Sequence, residues 1–373
     1  MTGSQRNPHI DVLRGAAIAI VLVLHFALAY GLKDSPLGTL FGAAFVNAVA
    51  LNGNFGVTVF FVISGYLITD NSLKRWGSLA RIDARAFYKA RARRILPPLL
   101  LALGVIMALG SLGVPYFDNA DGDRLLPPSF FAPAVASVLT FWHNVLMQSM
   151  GYFNYCLNVY WSLSVEEMFY LLLPLAGLLL RHTWLFVLLC VAAIVIGPVY
   201  RAHHADNELF YMYGYLACFD AIALGCLTAL LVEWRKRPLP FERPLRWLAG
   251  ALLVTVYLRG IGGHEVFGFT WIALCAAAML LTAHGQTHGG VAGSRALAPL
   301  RWMGRHSYEL YLFHIIVLAL LRNLFDDRHI GYAARLPLLA CFIAASALLA
   351  YGVQRAFHHA LRSRDRSALP GPA

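Results

Sequence analysis

The sequence contains few charged residues. Asp, Glu, Lys and Arg make up 13% of the 373 residues, whereas hydrophobic residues make up 59%. An ordinary soluble domain has about 25% charged residues. The composition therefore excludes an ordinary soluble domain. It predicts a polytopic integral membrane protein whose main surroundings are the lipid bilayer.

Paired cysteines are also absent from the sequence. The six cysteines are scattered and none belongs to a C-x-x-C pair, so neither a disulfide framework nor zinc-ligand spacing is indicated. Five of them lie in apolar runs, where a thiol packs as a small hydrophobic group. We expect no metal site and no bound cofactor.

Long apolar runs dominate what is present. A bilayer core takes roughly 20 apolar residues per helix. Ten runs approach this length, and they predict an all-α bundle of about ten transmembrane helices. Their approximate bounds are 12–30, 53–70, 95–114, 160–180, 184–200, 212–232, 246–261, 266–283, 307–325 and 334–354.

Acidic residues are scarce beside basic ones, 19 against 30, which gives a net charge of +11. With a cytoplasmic N-terminus, 23 of the 30 Lys and Arg residues fall inside and seven, including Arg201, fall outside. This distribution obeys the positive-inside rule and predicts that both termini are cytoplasmic. Because topology explains the basic excess, we expect no nucleic-acid partner.

Both ends of the chain need separate interpretation. Residues 15–24, followed by Ala27-Leu28-Ala29, have the pattern of a signal peptide with a cleavage site, which is the alternative to a first span. We expect residues 1–360 to form one transmembrane domain. Residues 361–373 are rich in Pro, Gly, Arg and Ser, and they predict a disordered cytoplasmic tail.

The first span carries two polar side chains, Arg14 and His25, eleven residues apart. At 100° per residue they lie on one helix face, and at 1.5 Å per residue they are about 16 Å apart along the axis. Arg14 alone could be an interfacial arginine, and His25 alone could be a packing histidine. Ionisable groups inside a bilayer are usually functional, so we interpret the shared face as the lining of a cavity.

The fourth span opens with an acidic pair after Trp161. Glu166 follows Trp161 by roughly 7 Å of helical rise, which predicts a depth similar to that of His25. A buried neutral histidine needs a partner to fix its tautomer, and Glu166 is our candidate. We expect Glu167 to be a surface charge at the outer rim.

Other polar or small residues mark further candidate sites. Lys89, Arg91, Arg93 and Arg94 precede the third span, where they either contact anionic headgroups or bind a polyanionic ligand. Gly65, after Ser64, predicts close helix packing. The long segment 115–159 is expected outside, either capping a cavity or packing on the outer surface.

Five motifs in order give the sequence a resemblance to acyltransferase family 3 membrane proteins, over about residues 9–357. The matching residues are Asp11, Arg14 and His25 (D-x-x-R-G, then His); Phe60, Phe61, Ser64, Gly65, Tyr66 and Leu67 (F-F-x-x-S-G-Y-L); Arg91 and Arg94 (R-x-x-R); Trp161, Ser162, Leu163 and Glu166 (W-S-L-x-x-E); and Ser307, Tyr308, Tyr311, Leu312 and His314 (S-Y-x-x-Y-L-x-H).

The resemblance implies transfer of an acyl group, most often acetyl, from cytoplasmic acyl-CoA to a hydroxyl of a carbohydrate or glycolipid acceptor. It implies a location in the bacterial cytoplasmic membrane and essential roles for Arg14 and His25. The other motif residues that we expect to support the site are Asp11, Ser64, Trp161, Ser162, Tyr308 and His314.

Two features depart from the family pattern. Many relatives continue into an extracytoplasmic SGNH hydrolase-like domain, for which this sequence has no room, so we expect a partner protein or the membrane domain to complete transfer. The segment CFDAIALG has Cys218 where relatives often have an Arg. If that Arg binds the donor in relatives, this chain must bind the donor otherwise.

These expectations combine into one mechanistic hypothesis. His25 acts as the general base on the acceptor hydroxyl, and Glu166 orients it or balances its charge. Arg14 holds the thioester end of the donor, while Arg91 and Arg94 hold the CoA phosphates. A covalent acyl-histidine is a variant of this hypothesis. A transporter or channel with a buried Arg/His/Glu relay is the competing class, and an inactive structural subunit is a third.

Overall fold

The computed structural model describes residues 7–235, 241–283, 291–326 and 329–367. This part of the chain consists of α-helices, short 3₁₀ turns and one small hairpin. The helices are α1 (Pro8–Tyr30), α2 (Pro36–Phe41), α3 (Ala43–Ala50), α4 (Asn54–Trp76), α5 (Ala84–Ser111), α6 (Phe131–Leu139), α7 (His143–Met150), α8 (Trp161–Leu180), α9 (Thr183–His203), α10 (Glu208–Tyr211), α11 (Tyr215–Trp234), α12 (Glu242–Arg259), α13 (Gly268–Ala283), α14 (Ala298–Arg305), α15 (Ser307–Leu324) and α16 (Arg335–Ser367), and the antiparallel strands are β1 (Ala120–Asp121) and β2 (Arg124–Leu125).

Eight helical segments are long and apolar enough to cross a membrane. They are Pro8–Tyr30, Ala43–Trp76, Ala84–Ser111, Asn158–Leu180, Thr183–His203, Glu208–Trp234, Ser307–Leu324 and Tyr332–Phe357. The other two predicted spans coincide with α12, which carries four charged residues, and α13, which has only 16 residues. The all-α integral membrane class is confirmed, and the count of ten spans stays a prediction.

Local sequence signals define the first helix. The Asn7 side chain accepts a hydrogen bond from the backbone N–H of His9 at 2.9 Å, and Pro8 occupies the first turn. Both features are typical of a helix N-terminus. At the other end Gly31 has φ 67°, a conformation that favours glycine and ends the helix. The helix α1 therefore includes both Arg14 and His25 without interruption.

Glycines let the central helices α4 and α11 approach closely. A Cβ on Gly65 would lie 2.1 Å from the Ile222 carbonyl oxygen, and a Cβ on Gly225 would lie 2.1 Å from that of Val62. Neither contact is sterically tolerable for a larger residue. The close packing predicted at Gly65 is confirmed.

Arg201 corrects one prediction from the charge count. It lies in the last turn of α9, fully buried, and not in an outside loop. Its Nη2 pairs with Asp220 Oδ2 at 2.7 Å and donates to Thr270 Oγ1, while Nε donates to the Val266 carbonyl oxygen at 2.8 Å. A buried charge needs such partners. Arg201 is therefore not counted among the cations of the predicted outside loops. The predicted excess of Lys and Arg on the inside is unchanged in direction.

The segment between α5 and α8 is ordered by one amide side chain. Asn154 Nδ2 donates to the carbonyl oxygens of Phe117 and Asp118, and its Oδ1 accepts from the backbone N–H groups of Cys156 and Leu157. The segment includes the hairpin, α6 and α7. It is a folded layer over one end of the bundle.

The last helix, α16, runs to Ser367. The predicted disordered tail at residues 361–373 stays a prediction. Residues 368–373 lie outside the described part of the chain.

Substitution of the central glycines is expected to destabilise the bundle. Gly65→Ala and Gly225→Ala should each lower the free energy of unfolding by about 1–3 kcal/mol, the usual effect of overpacking. The measurement is the Tm of the purified protein in detergent. Gly250→Ala in α12 is the matched control, because its Cβ meets nothing within 4 Å. Equal Tm values for all three variants would contradict the packing argument.

Candidate functional site

A cavity of about 120 Å³ lies among α1, α4, α5, α8 and α15. We call it the arginine cavity, because Arg14, Arg91 and Arg94 line it. Glu166 and Glu167 are the carboxylates on its wall. The structure thus brings the first-helix arginine together with the R-x-x-R pair, as the sequence predicts.

Arg14 is held by the helix that carries the last motif. Its Nη2 donates to Ser307 Oγ at 2.7 Å. Its Nε is buried and has no hydrogen-bond partner among the described residues. Arg91 lies with its guanidinium carbon 5.2 Å from the centre of the Tyr170 ring. Such a contact orients an arginine without neutralising its charge.

Glu166 does not contact His25, so the predicted pairing of these residues is wrong. Its Oε1 accepts hydrogen bonds from Ser64 Oγ and from Tyr170 Oη, the latter at 3.1 Å. Glu166 lies in the arginine cavity beside Arg14.

The position of Trp161 explains this difference. The depth estimate took the start of α8 as the membrane surface. Trp161 is instead buried, and its ring stacks on Tyr213 with 4.4 Å between centroids. The helix α8 therefore begins inside the protein, and Glu166, more than one turn later, reaches the arginine cavity.

Glu167 is a functional candidate that the sequence interpretation missed. It was expected on the outer surface, but only 6% of it is exposed and it lines the arginine cavity. Its Oε1 is buried without a hydrogen-bond partner in the described part of the chain. A buried carboxylate oxygen with nothing to accept is costly, which favours a role toward a ligand.

A second, wider cavity of about 1020 Å³ lies at the other end of α1. We call it the tyrosine cavity, because Tyr116, Tyr152, Tyr155, Tyr211, Tyr213 and Tyr311 line it. His25 and Trp161 face it, and so do residues of the segment 115–159. That segment therefore borders a cavity, as one of its two predicted interpretations requires.

The hydrogen bonds of two histidines assign their tautomers. His314 Nδ1 lies 2.8 Å from the Tyr311 carbonyl oxygen and 3.1 Å from that of Leu310. A carbonyl only accepts, so Nδ1 carries the proton and Nε2 keeps its lone pair. His25 Nδ1 lies 3.3 Å from His314 Nε2 and 2.9 Å from the Val21 carbonyl oxygen. It must therefore be the donor, which leaves His25 Nε2 as an unprotonated nitrogen.

A thin wall separates the two cavities. Tyr311 and Val57 line both of them. The Tyr311 hydroxyl donates to the Val159 carbonyl oxygen at 2.7 Å and accepts from Ser162 Oγ at 2.6 Å. These bonds hold the ring across the path between the cavities. The helix α1 therefore presents its arginine to one cavity and its histidine to the other, so the prediction that their shared face lines a single cavity is wrong.

The remaining predicted residues occupy different places. Tyr308 lines the arginine cavity and donates its hydroxyl to the Ile95 carbonyl oxygen at 2.9 Å. Asp11 is buried where α1 packs on Gly304 of α14, outside the lining of both cavities in the described chain. The Cys218 thiol donates to the Met212 carbonyl oxygen at 3.2 Å. It does not line the arginine cavity in the described structure.

Comparison with known proteins gives a family and several relatives. A family model described as acyltransferase domain matches residues 7–355. The O-acetyltransferase OatA of Staphylococcus aureus is 25% identical over 344 residues, which are 85% of this chain and 51% of OatA. The peptidoglycan O-acetyltransferase OatA of Listeria monocytogenes is 26% identical over 335 residues, which are 84% of this chain and 49% of that protein. The chain spans about half the length of these curated relatives. No solved structure matches it significantly.

The tautomer assignment predicts a pattern of chemical labelling. Diethyl pyrocarbonate acylates accessible, unprotonated imidazole nitrogens, so His25 should react through Nε2 while fully buried His314 is protected. Peptide mass spectrometry of the purified protein measures both. Exposed His182 and fully buried His143 are the positive and negative controls. Faster labelling of His314 than of His25 would contradict the assignment.

Proposed function

The chain belongs to the acyltransferase domain family, and on this premise we propose that it is a membrane O-acetyltransferase that acts on glycans. It takes an acetyl group from acetyl-CoA at the arginine cavity, on the cytoplasmic side, and transfers it to a sugar hydroxyl in the tyrosine cavity, on the other side. We place it in the bacterial cytoplasmic membrane.

One observation carries this proposal: a single helix supplies a cation to one cavity and an unprotonated imidazole nitrogen to the adjoining cavity. Two sets of lining residues support the proposed orientation. Arg91 and Arg94 of the arginine cavity belong to a segment predicted inside, and the tyrosine cavity is lined by residues of segment 115–159, which is predicted outside. Donor and acceptor would therefore approach the wall from opposite sides.

The arginine cavity is suited to a CoA thioester for two reasons. Three arginines line it, and two of its buried polar atoms have no hydrogen-bond partner in the described structure. Arg91 and Arg94 hold the donor phosphates, which guanidinium groups bind through charge-assisted hydrogen bonds. The unpartnered Arg14 Nε is a donor for the thioester or pantetheine end, and the unpartnered Glu167 Oε1 accepts from an amide N–H. Glu166 balances the charge of Arg14 and does not orient His25.

The chemistry follows from the two cavities. His25 Nε2 removes the proton of the acceptor hydroxyl, and the hydroxyl oxygen attacks the thioester carbonyl carbon. The carbon–sulfur bond then breaks, and the proton passes from His25 to the CoA thiolate. The Nδ1–H group of His25 keeps its proton and donates to the Val21 carbonyl oxygen and to His314 Nε2, so the basic nitrogen of His25 is Nε2. An acetyl-histidine at Nε2 is the covalent variant.

The names of the relatives support the acetyl group and the glycan acceptor. Both relatives compared above are named as O-acetyltransferases, one of them of peptidoglycan. A partner protein that completes transfer stays part of the proposal. Nothing in the comparisons supports the transporter or channel alternative.

Removal of the base should abolish chemistry but not donor binding. His25→Ala is expected to lower acetyl transfer by roughly 10²–10⁴-fold, the usual contribution of a general base, with acetyl-CoA affinity unchanged. His314→Leu should lower turnover less, because only the orientation of His25 is lost. The measurement is transfer of radiolabelled acetyl by protein in lipid nanodiscs, with His182→Ala as control. Full activity of His25→Ala would overturn the assignment.

The arginine pair should govern donor affinity. Arg91→Ala/Arg94→Ala is expected to weaken acetyl-CoA binding at least tenfold, or about 1.4 kcal/mol. Equilibrium binding of acetyl-CoA to the purified protein measures the effect. Arg93→Ala is the matched control, since this exposed arginine of the same helix does not line the cavity in the described structure. Equal losses in both variants would indicate a general surface charge effect, and indifference of the wild type to acetyl-CoA would favour transport.

A further inference from the structure

The tyrosine cavity combines ring faces with hydrogen-bonding groups. Tyr116, Trp161 and Tyr211 are among its aromatic side chains, and Asn52 and Asn158 contribute amides. Flat apolar faces beside a few directed polar groups are typical of a small-ligand site. Sugar rings have the matching chemistry, because they present C–H faces and hydroxyls together.

Two of the three asparagines that line this cavity offer one free acceptor and one free donor. Asn52 uses Nδ2 to donate to the carbonyl oxygens of Ala48 and Tyr257, which leaves Oδ1 to accept. Asn158 uses Oδ1 to accept from the backbone N–H groups of Phe153 and Asn154, which leaves Nδ2 to donate. A hydroxyl both donates and accepts, so it satisfies such a pair.

Two tyrosine hydroxyls of this cavity, those of Tyr152 and Tyr155, remain neutral at physiological pH. Burial raises the pKa of Tyr152 to about 12. Burial also raises the pKa of Tyr155 above its usual value, although Arg322 opposes the shift. These side chains therefore add hydroxyls and no charge to the cavity.

The charges of the tyrosine cavity are mainly negative. Asp118, Asp121 and Glu208 line it, whereas Arg322 is the one guanidinium among its described lining residues. Arg322 is itself engaged by aromatic rings, with its guanidinium carbon 4.0 Å from the Tyr116 ring centre and 5.1 Å from that of Tyr155. An anionic ligand would meet three carboxylates and one guanidinium group, that of Arg322, which already lies against two aromatic rings.

The arginine cavity has the opposite balance, with three guanidinium groups against two carboxylates. The two sides of the wall thus differ in the sign of their charge. A polyanionic donor suits one side and is repelled by the other. Like charges in a partly desolvated cleft interact more strongly than in bulk water.

We infer that the tyrosine cavity binds the acceptor as an uncharged saccharide and discriminates against saccharides that bear carboxylates near the reacting hydroxyl. The identification of this saccharide as the acceptor rests on the proposed function. The binding preference itself follows from the lining and can be measured without acetyl transfer.

Protection of His25 from diethyl pyrocarbonate measures occupancy of the tyrosine cavity. A saccharide in the cavity covers Nε2 and slows the labelling of His25, whereas exposed His182 reports the reagent concentration. The probes are cellotetraose and chitotetraose, which are uncharged, and tetragalacturonate, which carries one carboxylate per ring. The protein is the full chain in nanodiscs of neutral lipid.

We expect either uncharged probe to protect His25 at a concentration at least tenfold below that needed for tetragalacturonate. The ratio of the protecting concentration of tetragalacturonate to that of an uncharged probe should fall to about threefold or less in the triple variant Asp118→Asn/Asp121→Asn/Glu208→Gln. Higher salt should lower the same ratio in the wild type. Asp123→Asn is the matched control, because this exposed residue of the same hairpin is not among the described lining residues. Its ratio should stay that of the wild type.

Three outcomes would overturn the inference: tetragalacturonate protecting as well as the uncharged probes, no protection by either uncharged probe, or an unchanged ratio in the triple variant. A separate measurement of acetyl-CoA binding and turnover tests the proposed function. Protection by uncharged probes without any reaction of acetyl-CoA would count against the proposed function and leave the binding preference standing.

Discussion

The position of α1 is the constraint on which the two cavities depend. Backbone contacts fix this helix at successive turns. Gly15 of α1 packs against the Leu300 carbonyl oxygen, and Gly304 of α14 packs against the Asp11 carbonyl oxygen. A Cβ added to either glycine would lie only 1.9 Å from that oxygen. Farther along, Gly53 meets the Ile20 carbonyl oxygen in the same manner, at 2.4 Å. Helices in this kind of contact cannot slide or rotate without a clash.

This fixed position gives the eleven-residue spacing its meaning. Arg14 and His25 share a helix face, but they serve different cavities because Tyr311 and Val57 interrupt the face between them. If α1 rotated, the arginine would leave the described cavity and the histidine would lose His314. The separation of Arg14 from His25 and the contact of His25 with His314 therefore both depend on one helix that is locked by small residues.

Sequence reasoning reached the helical class, the shared face of α1, the close packing at Gly65 and the grouping of Arg14 with Arg91 and Arg94. These follow from composition, helical period and residue size, which are local properties. The partner of His25 was not predictable in the same way. Glu166 fitted the expected depth, but the true neighbour, His314, lies 289 residues away along the chain.

The other errors share a physical origin, namely the use of chain position as a measure of depth. The depth of Glu166 was counted from Trp161, but Trp161 is buried against another aromatic ring and does not mark the membrane surface. Arg201 follows an apolar run and was taken as a loop residue, yet Asp220 and Thr270 satisfy it inside the bundle. Tertiary partners decide such cases.

The wall between the cavities is about one side chain thick, and its closure affects the whole membrane. Two water-accessible cavities that joined here would form a continuous aqueous path, through which protons could flow down their gradient. The Ser162–Tyr311–Val159 hydrogen bonds keep that path shut between Arg14 on one side and His25 on the other. This short barrier thus preserves the electrical insulation of the bilayer.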